Sequence, residues 1–174
     1  MKTILAPIDF SDSAKRVIAE AVTLARAMDA SLVLFHVIPP LPANASEFGF
    51  ADAIAKIAAA AVDDAVERLS NIQRQLAERH VTAATFHVTG IPGAAIVAHA
   101  EEFHASYIVI GSHGHGAFYE LIVGSTASRV IKEATCPVVV VPSHTPPAED
   151  ALALDLEPAS AAAAAEPLAF PAQR

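Results

Sequence analysis

The sequence predicts an α/β fold: a single doubly wound domain with a five-stranded parallel sheet and helices on both faces. Three observations lead there. Five short runs rich in β-branched residues recur, and several are almost continuously apolar, as strands covered on both faces are. The segments between them repeat apolar residues at helical spacing. Strand and helix alternate throughout, an order that closes into a parallel sheet by right-handed crossovers. The expected strand order is 3-2-1-4-5.

The strands are "KTILAPI" (2–8), "SLVLFHVI" (31–38), "ATFHV" (84–88), "SYIVIGS" (106–112) and "PVVVV" (137–141). The first helix covers 12–28, where Ala14, Val17, Ile18, Ala21, Leu24, Ala25 and Met28 share one face and Ser11, Asp12 and Ser13 offer an N-cap. A longer helix is expected from about 47 to 79, traced by Ile54, Ile57, Ala61, Ala65, Leu69, Ile72 and Leu76. Pro92 and Gly93 open the third, with Ile96, Val97, Ala100 and Phe103 on its inner face. Ser125 opens the fourth, where Ala127, Val130, Ile131 and Ala134 repeat the spacing.

Two segments fall outside this alternation. The connection 39–50, "PPLPANASEFGF", is long for such a loop and reads as slack surface, a lid or a partner surface. From Ser143 on, Pro, Ala and acidic residues dominate, so 143–174 is expected to be a disordered tail beside the domain of residues 1–142. Within the tail, the "ALALDL" alternation and Phe170 mark a candidate partner-docking segment.

Composition excludes several function classes. Net charge is −8, from 11 basic and 19 acidic residues. The tail carries Glu149, Asp150, Asp155, Glu157, Glu166 and Arg174, a net of −4, which leaves −4 for residues 1–142. Neither part has the basic stripe that phosphate neutralisation needs, so nucleic acid and acidic membrane surfaces are not expected partners. No apolar run approaches the roughly 20 residues of a membrane span. The start, "MKTILAPIDF", is too briefly apolar for a signal peptide, so a cytoplasmic protein is expected. The lone cysteine, Cys136, precedes Pro137 and an apolar strand and reads as a small buried residue.

The informative stretch is "VIGSHGHGAFYELIVGSTAS", 109–128. Ligands on doubly wound sheets bind beyond the carboxyl ends of the strands where the order reverses, which selects the loops 7–13 and 111–124. A metal site is disfavoured: His113 and His115 alternate on the loop with no nearby third ligand, although Asp9 could approach. A phosphate cradle has more support. Gly111 and Gly114 let backbone N–H groups come close to an anion, and Gly124, Ser125 and Thr126 begin a helix whose N-terminus suits phosphate. The loop is neither a Walker A nor a GxGxxG fingerprint. On these grounds alone a strand–turn–helix with glycines used only for geometry stays open.

The chain resembles the ATP-binding universal stress proteins. Their motif is Gly, two residues, Gly, nine residues, Gly, then Ser or Thr. Here it reads Gly111, Ser112–His113, Gly114, His115 to Val123, Gly124, Ser125, and "APIDFSDSA" and "ATCPVVVVP" are also similar to the family's ends. The match spans about residues 1–142. The resemblance implies that Pro7, Ile8 and Asp9 contact adenine and ribose, and that Val37 lines the adenine pocket. Ile110, Gly111, Ser112, His113 and Gly114 would wrap the ribose and first phosphates, with Gly124, Ser125 and Thr126 on the outer ones. The implied ligand is ATP (or ADP or AMP) with Mg²⁺. An ionised Asp9 accepts hydrogen bonds from hydroxyls; a charge at the first helix's N-terminus is its other reading. The family often has a basic residue where His115 stands, which shifts phosphate neutralisation toward Mg²⁺.

Hydrolysis needs charge stabilisation at the transferred phosphoryl, and the loop has neither lysine nor arginine. The expectation is a nucleotide-responsive binding protein acting on an unidentified protein partner, with at most slow turnover. The alternative is a nucleotide-independent interaction module. The last strand, Pro137 to Val141, is an apolar edge that invites pairing, and the resemblance implies a homodimer through it.

Overall fold

The computed structural model describes residues 2–41, 51–112, 123–142 and 154–157. Nine elements alternate: β1 (Thr3–Pro7), α1 (Asp12–Met28), β2 (Ser31–Ile38), α2 (Ala51–Glu78), β3 (Ala83–Thr89), α3 (Pro92–Glu102), β4 (Tyr107–Gly111), α4 (Ser125–Glu133) and β5 (Val138–Val141). The strands form one sheet in the order β3-β2-β1-β4-β5, all pairs parallel, as the sequence predicts. The order reverses at β1, which pairs with β2 through Pro7↔Phe35 and with β4 through Leu5↔Ile108.

Successive side chains of a strand point to opposite faces, so β1 feeds two cores. Ile4 and Ala6 join Val17, Ile18 and Ala21 of α1 and Leu69, Ile72 and Leu76 of α2. Leu5 joins Phe35, Ile96 and Ala100 of α3, and Ala127 and Val130 of α4, on the opposite face. Gly93 lets α3 and α4 approach: a Cβ there would lie 2.9 Å from Arg129 Cδ and 3.1 Å from its Cβ.

Some expectations need correction. The α2 stripe is buried only from Ala65 on; Ala61 is exposed and Ile57 is 54% exposed, because only the C-terminal half of α2 packs into the core, through Leu69, Ile72 and Leu76. Residues 47–50 lie outside the described residues. On α4 the short helix turns Ile131 to solvent at 48% exposure. Cys136 is half-buried rather than buried, and desolvation raises its thiol pKa. Within the tail, residues 154–157 are not free. Leu154 and Leu156 are buried in the core beside α1 and α2, while Asp155 between them faces solvent. The rest of 143–174, Phe170 included, lies outside the described residues.

Candidate functional site

At the carboxyl ends of the strands, above the point where the order reverses, lies a cavity of about 630 Å³. That is within the roughly 300–1,000 Å³ of small-molecule sites. Four separate segments bring the residues singled out in the sequence to it. Pro7, Ile8 and Asp9 come from the end of β1, and Val37 from β2. Ile110, Gly111 and Ser112 come from the end of β4, and Gly124, Ser125 and Thr126 from the start of α4. Ten of the twelve residues singled out in the sequence therefore meet in one cavity. The other two, His113 and Gly114, lie outside the described residues, as do His115 and residues 42–50 of the long connection.

The backbone explains how the two ends of the glycine segment are brought together. Ser112 N–H donates to Val141 O at 2.8 Å, which ties the end of β4 to β5. Gly124 N–H donates to Ser112 O, also at 2.8 Å, which returns the chain to the strand it left. Gly124 then stands at the N-cap of α4 with φ −60° and makes no side-chain cap bond. That φ is open to any residue, so positive-φ freedom is not why a glycine stands at 124. Gly124 gives the first turn of α4 no side-chain cap, and the helix start, with its N–H groups, positive dipole end and the Ser125 and Thr126 hydroxyls, adjoins the cavity.

The β1–α1 loop is built around Asp9. Its Oδ1 accepts the Ser11 N–H at 3.1 Å and the Ser11 hydroxyl at 2.6 Å, and the Ser11 and Ser13 hydroxyls are 2.8 Å apart. Ser11 holds the N-cap position of α1, but its hydroxyl turns to Asp9 instead of capping the helix. Between them Phe10 adopts φ 60°, a left-handed conformation that costs a bulky residue free energy and persists only where its surroundings fix it. The Phe10 ring lies 4.4 Å from the His36 ring, and Arg68 of α2 covers its outer side.

His36 was not foreseen. It lines the cavity, and its Nδ1–H donates to Ile8 O at 2.8 Å. Burial lowers its pKa, and the Ile8 carbonyl and Asp9 oppose that only in part. The sequence signal was its place in "FHVI", one residue before Val37 on a strand that ends at the cavity. Ser13, Phe35, Pro39 and Pro92 also line the cavity. No lysine or arginine does so among the described residues. Nor does any cluster of three metal-ligating side chains occur among them, and none of their helices is long and apolar enough to cross a membrane.

A profile of the universal stress protein family matches residues 1–142. The chain belongs to the universal stress protein family. Among its relatives, a universal stress protein of Thermus aquaticus is 34% identical over an alignment covering 80% of this chain and 98% of the relative. One from Bacillus subtilis is 32% identical, with coverages of 79% and 97%. The solved structure of a universal stress protein from Lactobacillus plantarum matches with a TM-score of 0.63 at 29% identity, covering 80% of this chain and 97% of that one. This universal stress protein thus carries the family's domain over 1–142 and a further seated segment at 154–157.

Proposed function

We propose that this universal stress protein binds ATP and acts as a nucleotide-responsive binding protein in the cytoplasm, not as an ATPase. The observation that carries the reading is the convergence of ten motif positions, from four separate segments, on one cavity beside the uncapped start of α4. A protein of this fold has been solved in complex with cAMP, at 23% identity and a TM-score of 0.52; that likeness is one of fold. The support for ATP is this chain's own residues.

The residues fit the ligand. Apolar Ile8, Val37 and Ile110 suit adenine. Asp9 suits ribose hydroxyls, since a carboxylate only accepts. Gly124, Ser125 and Thr126 would hold phosphates through N–H and hydroxyl groups. With no cation lining the cavity among the described residues, Mg²⁺ supplies the balancing charge. The same lack leaves the transferred phosphoryl without protein charge stabilisation, which is why turnover stays slow. ATP would favour one arrangement of 111–126 and so change what a protein partner meets; such a shift is limited to the ligand's differential affinity for the two states. Two copies would pair along β5, which bonds to β4 on one side and leaves Val139 37% exposed.

The test is calorimetric titration of Mg·ATP into nucleotide-stripped protein. Saturable binding near one per chain, at micromolar to sub-millimolar affinity, supports the reading. Folded protein that gives no heat would leave the glycines a purely geometric role and return function to the dimer surface.

A further inference from the structure

The last strand among the described residues ends at Val141 and the family profile at residue 142, yet residues 154–157 are seated on α2 with the detail of a recognised peptide. Exposure alternates along them. Leu154 and Leu156 are 3% and 4% exposed, while Asp155 and Glu157 face solvent. Side chains on one face of α2 read the main chain between the leucines. The Gln75 carboxamide donates to Asp155 O at 2.7 Å and accepts Asp155 N–H at 2.9 Å, a two-bond pairing of the kind a neighbouring strand makes. Asn71, itself buried, donates to Asp155 O at 3.3 Å and Glu157 O at 2.9 Å. Arg68 donates to Leu156 O at 3.4 Å and lies 3.8 Å from the Glu157 carboxylate.

We propose that this face of α2 is a docking site for a Leu-Xaa-Leu-acidic peptide, occupied and thereby closed to partners by the chain's own Leu154–Glu157. The division of labour is that of strand-like peptide recognition. Main-chain hydrogen bonds supply affinity, and alternate side chains entering apolar pockets supply specificity. Arg68 adds the preference for an acid after the second leucine. Because the occupant belongs to the same chain, its docking is intramolecular, at an effective concentration of about millimolar. A partner must therefore carry the same chemistry and exceed that local concentration, or arrive when the segment has left.

The test uses the full chain. A fluorescent peptide with the sequence of residues 151–158 is titrated by anisotropy against the wild type and against the Leu154→Ser/Leu156→Ser double variant. The variant is expected to bind it saturably, the wild type at least tenfold more weakly, and a peptide with both leucines replaced by serine should bind neither. A folded variant that ignores the peptide, or equal binding by both proteins, overturns the proposal. Amide exchange on the wild type decides the matter even if the variant does not fold. The Asp155 N–H should exchange at least tenfold more slowly than in the free peptide, but at least a hundredfold faster than the β1 amides, because the segment leaves without the domain unfolding. No protection, protection equal to β1, or protection lost on dilution (a segment supplied by a second copy) would each overturn it.

Discussion

The guanidinium of Arg68 lies 5.5 Å from the centre of the Phe10 ring, and with this contact α2 supports the loop that carries Asp9. The same group pairs with Asp64 at 2.9 Å and reaches the main chain at Leu156. One side chain therefore joins the cavity loop, the long helix and the tail segment. A lysine would keep the charge but lose the planar fork and the stacked face. Arg68→Lys is expected to cost about 1–2 kcal/mol, combining a cation–π contact with a partly buried charged hydrogen bond. Urea denaturation reads this as a lower midpoint at constant slope. A midpoint that does not move would reduce Arg68 to an ordinary surface ion pair.

Asp9 combines a structural and a proposed binding role, and the two can be separated. Asparagine keeps an Oδ1 that can accept from Ser11 but removes the charge. Asp9→Asn should therefore change stability by less than about 1 kcal/mol while weakening Mg·ATP roughly ten- to hundredfold, the value of a hydrogen bond to a charged group. Calorimetry alongside denaturation checks both halves. Equal affinity in the variant would assign Asp9 to the loop alone.

Ile57 and Ile72 lie on the same apolar stripe of α2 in the sequence, yet one is 54% exposed and the other fully buried. Ile72→Ala should cost about 2–5 kcal/mol through lost burial and a cavity. Ile57→Ala should stay within about 0.5 kcal/mol, as surface changes do. Comparable losses would show that something covers the start of α2 in solution.

The same pair shows what the sequence made legible. Periodicity gives the facing of a helix, so the inner faces of α1 and α3 are legible, but it does not say where along a helix its neighbours stop. The glycine spacing points to the cavity, since Gly111 and Gly124 both line it. The residue type of His36 gives no such pointer, since a histidine in a strand reads alike whether it faces a core or a cavity; only its place beside Val37 points to the site. By composition alone the tail reads as a disordered segment, because proline, alanine and acid outweigh two leucines. What seats them is Asn71 and Gln75, polar residues on a distant helix whose partners are main-chain atoms.

Val139 makes the edge of β5 testable. An apolar edge strand pairs unless something blunts it, and lysine is among the commonest devices for doing so. If the proposed β5 dimer forms, Val139→Lys is expected to convert it to a folded monomer in sedimentation equilibrium, with the cooperative melt retained. A dimer that persists would place the interface away from β5.

His36 gives the stability a pH dependence whose sign follows from its surroundings. Its ring packs against Phe10 and its Nδ1–H is held by Ile8 O; Asp9 and Asp64 favour its charged form and His87 opposes it, but burial dominates and lowers its pKa below the ordinary 6.5. The unfolded chain therefore takes up a proton at this position at a higher pH than the folded chain does. Above about pH 6.5 both states are neutral here and the group contributes no slope. As pH falls from about 6.5 to the lowered folded value, only the unfolded state gains the proton, so stability drops; below that value the contribution levels off. His36→Phe keeps a ring against Phe10 and removes the titration. Denaturation midpoints between pH 7.5 and 5.5 should fall in the wild type and stay flatter in the variant. Parallel curves would mean that the slope comes from other groups and that His36 is not held neutral by the cavity wall.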